Sequence, residues 1–183
     1  MITDDEKAAI KESWRLVVPI AETAADLFYK RLFELHPEYR RLFTDDMRAQ
    51  KRKLVAMLAF IVKSLDWPDS AWRETVPEED DLCLIVLALG RRHTDLYKIP
   101  DASYDVVGEA LIWTLDYGLG KKFDARTRAA WTRVYQVLAL TMKMGRLSVP
   151  GATKADNALS RLVAPPSNGN ASHAGDGSTK EAS

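Results

Sequence analysis

Cysteine is all but missing from this chain: Cys83 is the only one in 183 residues, so no internal disulfide can form. It sits in the apolar run Leu82 to Leu89 and reads as a core residue of a reduced, cytoplasmic protein. Net charge is missing too. The 26 Lys and Arg balance 26 Asp and Glu, which leaves no overall field to draw in DNA, RNA or anionic lipid, and no basic patch of useful size compensates. Long hydrophobic runs are absent: Leu54 to Val62 and Leu82 to Leu89 fall far short of the ~20 residues of a membrane span. The first residues, Met1-Ile2-Thr3-Asp4-Asp5-Glu6, are acidic where a signal peptide is basic, and no apolar stretch follows. These absences argue against nucleic acid and membrane as partners and predict a cytoplasmic globular domain with a real core. No stretch alternates polar and apolar residues for long enough to make a strand, and no Gly-rich dinucleotide loop occurs.

What is present is helical periodicity, dense from residue 1 to about residue 149. Composition then changes abruptly. Residues 150–183 hold three Pro, four Gly and five Ser but no aromatic, too little apolar area to offset the entropy of ordering. A disordered polar tail is expected there, with at most a weak helical turn or two around Leu159 to Val163. Three basic and three acidic residues cancel within it, so it is not a charged arm.

Thr3-x-x-Glu6 is a capping box opening a helix to about Val18, and Pro19 restarts the chain in a second helix through Leu35. His36-Pro37 begins a short turn-like helix ending near Phe43, and a long helix runs from about Asp46 to Leu65. Asp66 to Val76, with Pro68 and two tryptophans, reads as a loop. Pro77 followed by Glu78, Glu79, Asp80 and Asp81 marks a helix start, because acidic side chains favour the positive end of the helix dipole. That helix should stop near Gly90 to His93. Further helices are expected from about Asp101 to Leu119 and from Asp124 to about Gly145, broken at Gly118 to Lys122.

Leu82, Ile85, Val86 and Leu89 repeat at i, i+3, i+4 and i+7, and His93 continues their stripe one turn further. Alone, such a histidine suits three roles: a core imidazole bonded to a carbonyl, a helix-end residue favoured by the dipole, or a metal or haem ligand. A structural zinc site is disfavoured, since no other His or Cys stands at ligand spacing. On the helix from Asp46, Gln50 shares a face with Leu54, Met57, Leu58 and Ile61. On the second helix, Tyr29 shares a face with Ala25, Leu32 and Phe33. Singly, Gln50 suits a solvated first turn and Tyr29 a core aromatic with a bonded hydroxyl. Together with His93 they describe a pocket with one imidazole, two hydrogen-bonding groups and apolar walls.

Phe28-Tyr29-Lys30-x-Leu32-Phe33-x-x-His36-Pro37-Glu38-x-Arg40-x-Leu42-Phe43, then Gln50-x-x-x-Leu54, then Leu89-Gly90-x-Arg92-His93 and Tyr104-x-x-Val107-Gly108-x-Ala110-Leu111, resembles a bacterial globin of the single-domain group related to the flavohaemoglobins. The likeness covers roughly residues 5 to 145 in order. It implies an all-α, three-over-three globin fold over residues 1–149 and haem b as cofactor. It makes His93 the proximal iron ligand, Tyr29 and Gln50 the distal hydrogen-bonding pair, and Phe43 the aromatic packed on the porphyrin. Leu54 would stand over the iron, Leu89 and Val107 would line the proximal side, and Arg92 and Lys53 would meet the haem propionates. Tyr104 matches the tyrosine that supports the proximal histidine, with one extra residue between them. The glutamate expected beside it falls at about Arg146, and an arginine cannot accept that hydrogen bond.

The implied function is reversible binding of dioxygen, with NO and CO as further ligands, at a five- or six-coordinate iron, a role in oxygen transport or nitric oxide detoxification. Donors at Tyr29 and Gln50 would stabilise negative charge building on a bound ligand in a low-dielectric pocket. Two alternatives follow from the same residues: a nitric oxide dioxygenase served by a separate reductase, and a haem-based gas sensor module. The chain is expected to be a monomer or homodimer.

Overall fold

The computed structural model describes residues 2–43, 46–66, 82–95 and 99–145. Among them are six α-helices and no strand, so the all-α expectation holds. The helices are α1 (Asp4–Val17), α2 (Ala21–Leu35), α3 (Met47–Ser64), α4 (Leu82–Asp95), α5 (Ser103–Leu119) and α6 (Ala125–Met144), with 3₁₀ turns at Val18–Ile20, Pro37–Leu42 and Gly120–Lys122. The expected loop after Asp66, the acidic helix start at Pro77 to Asp81 and the tail from residue 150 lie outside the described residues.

Local chemistry sets the boundaries. Thr3 Oγ1 accepts from the Glu6 amide at 3.2 Å while the Thr3 amide donates to the Glu6 carboxylate at 2.7 Å, so the capping box closes in both directions. Pro19 stands in the turn that separates α1 from α2, where its fixed φ costs nothing. Asp46 and Asp124 cap α3 and α6 through the amides of Arg48 and Thr127, both at 2.8 Å. Gly120 takes φ +51° just past α5, a left-handed conformation that lets the chain reverse.

The helices form two layers, α1, α3 and α4 against α2, α5 and α6, with the closest pairings α2 on α5, α4 on α6 and α1 on α6. Trp131 of α6 is fully buried, and its indole N–H donates to Ser13 Oγ at 2.9 Å; Ser13 in turn donates to the Ala9 carbonyl at 2.8 Å. A large aromatic therefore reaches the centre with its one polar atom satisfied. Ile10, Leu32, Ala110 and Ala130 complete the buried centre.

Cys83 is exposed, which corrects its reading as a core residue. The apolar run Leu82 to Leu89 is continuous, but only one arc of a helix can face inward. Ile85 and Val86 take that arc at 1% and 2% exposure, and Cys83 falls on the opposite side. At the C-terminal half of α4, a Cβ placed on Gly90 would overlap the Met142 backbone carbonyl, and one on Gly145 would overlap that of Leu87. Two side-chain-free positions thus let α4 and α6 touch backbone to backbone, and they fix where the end of α4 is held.

Candidate functional site

His93 stands in the last turn of α4, one turn beyond Leu89, and is half-buried. The Ile99 amide donates to its backbone carbonyl at 3.0 Å, closing the helix end. Tyr104, at the start of α5, brings its hydroxyl to 3.5 Å from His93 Nδ1, with ring centroids 6.1 Å apart. Tyr104 is itself held from α6: the Tyr135 hydroxyl donates to its carbonyl oxygen, and the Lys143 ammonium stands 5.7 Å over its ring. Burial, and next the neighbouring Arg92 cation, lower the His93 pKa to about 4. The imidazole is therefore neutral at pH 7, the state a metal ligand requires.

A second group of candidate residues comes from α2 and α3. Tyr29 is buried at 7% exposure and donates its hydroxyl to the Gln50 backbone carbonyl at 3.3 Å, which joins the two helices at that point. Burial pushes the phenol far above its ordinary pKa, so the hydroxyl stays a donor at any working pH. Phe43 meets Tyr29 edge-on at 5.4 Å and Phe33 at 5.6 Å, making a three-ring cluster below the 3₁₀ turn. Gln50 and Leu54 are half-buried on the face expected for them, as is Val107 on α5. Leu89 packs against Ile85, as do Met57 and Phe60 from α3. Arg92 and Lys53 share helices with His93 and Gln50; neither forms a hydrogen bond or ion pair with another site residue among the described residues.

The pairs Tyr29 with Gln50 and Tyr104 with His93 are thus brought together, and Phe43 joins the first. Four participants stand outside the set drawn from the sequence. Phe33 and Met57 were legible as wall positions from their spacing to Tyr29 and Gln50. Tyr135 and Lys143 act on Tyr104 across α5 and α6, and no sequence spacing signals that contact. The position matched to the missing glutamate, Arg146, lies outside the described residues.

Two observations bear on whether these residues suit haem. From Ala49 to Phe60 no side chain of α3 is fully buried, although Leu54, Val55, Met57, Leu58 and Phe60 are apolar. A half-covered apolar face fits a flat apolar group laid along it. Among the described residues no three His, Cys, Asp or Glu side chains gather to hold a metal ion, whereas porphyrin iron needs only one protein ligand.

A globin family model matches residues 26–142. The neuroglobin of Tetraodon nigroviridis is 30% identical over 85% of this chain and 98% of its own length. An anaerobic nitrite reductase of Brassica napus is 28% identical over 78% of this chain and 91% of its own, and one of Arabidopsis thaliana is 28% identical over 77% and 91%. The chain belongs to the globin family. Globins bind haem and, through it, small gaseous ligands. None of the helices described is long and apolar enough to cross a membrane.

Proposed function

We propose that this chain is a haem b globin that binds dioxygen reversibly, with NO and CO as further ligands, and that His93 is the protein ligand to the iron. Haem, when bound, supplies an iron centre that takes diatomic gases and changes oxidation state. The chain's own residues set how that centre behaves. His93 offers a neutral imidazole whose Nδ1 faces the Tyr104 hydroxyl, so its other ring nitrogen is the one directed to iron. Phe43, Leu54, Leu89 and Val107 exclude water with apolar surface. Tyr29 keeps its proton, and by giving up its long bond to the Gln50 carbonyl it would become a donor to a bound polar ligand, with the Gln50 amide as the second. Arg92 and Lys53 are the cations assigned to the propionates.

The observation carrying this reading is the pair of contacts among the candidate residues, Tyr104 on His93 from α5 and Tyr29 on Gln50 across α2 and α3, in a chain of the globin family. Spectra of the purified protein in ferric, ferrous and CO-treated forms test it. A Soret band that shifts with CO is expected, and a protein unable to hold haem after reconstitution overturns the reading.

A second reading is a redox enzyme acting on nitrogen oxides and served by a separate reductase: a nitric oxide dioxygenase, or a nitrite reductase as the two plant relatives are named. The Tyr104 contact to His93 favours it, since a partner on the proximal imidazole tunes the iron. Stopped-flow mixing of the oxygenated protein with NO, and of the ferrous protein with nitrite, separates the two activities from simple gas binding. Cytoplasmic residence and the flavohaemoglobin-like pocket belong to the same proposal.

A further inference from the structure

α5 and α6 leave a groove of about 680 Å³ between them, sharing Tyr135 and Lys143 with the support of Tyr104. Its floor and walls include Gly108, Trp113, Tyr135, Gln136 and Leu140. Gly108 deepens it, because a Cβ there would meet the Tyr135 ring at 2.5 Å. Ile112, Trp113, Ala139 and Leu140 give it apolar walls, and Leu140 is 63% exposed to water there. Charges at the rim are neutralised in place. Asp116 pairs with Arg128 at 2.7 Å, Asp105 with Lys143 at 3.8 Å and Glu109 with Arg31 at 3.6 Å. An occupant is therefore selected by apolar contact and not by charge, which disfavours polyanions and anionic lipid.

We propose that residues 155–163 of this same chain dock in the α5–α6 groove. Ala155, Ala158, Leu159, Leu162 and Val163 recur at i, i+3, i+4, i+7 and i+8, the pattern of one apolar helix face, and Pro165-Pro166 ends it. Asp156, Asn157, Ser160 and Arg161 fall between them and carry the polar face. α6 ends at Met144, one residue past Lys143 at the groove's end, so the segment starts within a short tether of the groove. Residues 146–154 form a nine-residue tether spanning up to about 30 Å. From Lys143 back to Arg128 the groove follows fifteen residues of helix, about 22 Å, so every part of it is within reach. A tether of that length holds the segment at an effective concentration on the order of millimolar. A second copy at micromolar concentration must bind about a thousandfold more tightly to compete.

Hydrogen–deuterium exchange on the full chain at low micromolar concentration tests the proposal, alongside light scattering for mass. The expected result is a monomer in which amides of 157–163 exchange about tenfold slower than free peptide, with protection lost in a Leu159→Asp/Leu162→Asp variant. Leu140→Asp, which alters the groove at an exposed position, is expected to release the segment equally while the domain keeps its own protection. Free-peptide exchange across 155–163 in the unmodified chain overturns the proposal. So does protection there that ignores Leu140→Asp. A dimer whose α6 protection fades on dilution makes a second copy the occupant and overturns it as well.

Discussion

Replacing Tyr29 by Phe separates the two duties of one hydroxyl. In the folded protein it donates to the Gln50 carbonyl at 3.3 Å, a long bond to an acceptor that already serves the α3 ladder. A neutral hydrogen bond contributes about 0.5–1.5 kcal/mol net, and a long one to a satisfied acceptor belongs at the low end. The ring stays, so Phe28 and Phe43 keep their edge contacts at 5.1 and 5.4 Å. Urea unfolding should therefore show a loss of only about 0.5 kcal/mol. Ligand release should change far more. A hydrogen bond to a group carrying charge contributes about 1.5–3 kcal/mol, which is roughly a 10- to 150-fold faster dissociation of dioxygen at 1.4 kcal/mol per decade. Carbon monoxide, which develops little charge, is the internal control and should move less than about threefold by the same conversion. Dioxygen dissociation unchanged within twofold, with folding weakened by several kcal/mol, would refute the reasoning and make Tyr29 a purely structural residue.

Other perturbations have equally definite outcomes. His93→Ala should abolish the Soret shift with CO, and added imidazole should restore part of it; a variant with an unaltered spectrum removes His93 as ligand. Leu32→Ala, at a position 1% exposed, should destabilise by about 2–5 kcal/mol in urea without altering ligand rates directly. For the haem-free protein, His93 titrates near 4 when folded against 6.5 when unfolded, so the unfolded chain binds the extra proton between those values. Stability is complete above pH 6.5 and falls as pH drops toward 4, by about 3 kcal/mol in all. His93→Ala should flatten that part of the unfolding profile. Gly90→Val must push α4 from the Met142 carbonyl; by overpacking it should cost about 1–3 kcal/mol or more and lower haem retention by displacing His93.

Much of this architecture is legible in the chain because it rests on short-range rules. A capping box, a proline after the first helix and Gly120 each act within a few residues, so the boundaries of α1, α2, α3, α5 and α6 fall within one or two positions of those read from periodicity. The faces carrying Tyr29, Gln50 and His93 follow from the 3.6-residue repeat in the same way. Cys83 shows where such reading stops: an unbroken apolar run does not say which arc of the helix finds a partner.

By itself, then, the order of residues determined an all-helical domain and the set of side chains that shares each helix face, because backbone hydrogen bonding and hydrophobic periodicity are local. Only the packing of helices far apart in sequence decided the rest. Tyr29 meets Gln50 across α2 and α3; Tyr104 reaches His93 because Tyr135 and Lys143 of α6 hold it; and Gly90 lets α4 come close enough to α6 to place that histidine. Such contacts depend on the angles at which helices cross, and those angles emerge from how all the side chains interlock at once.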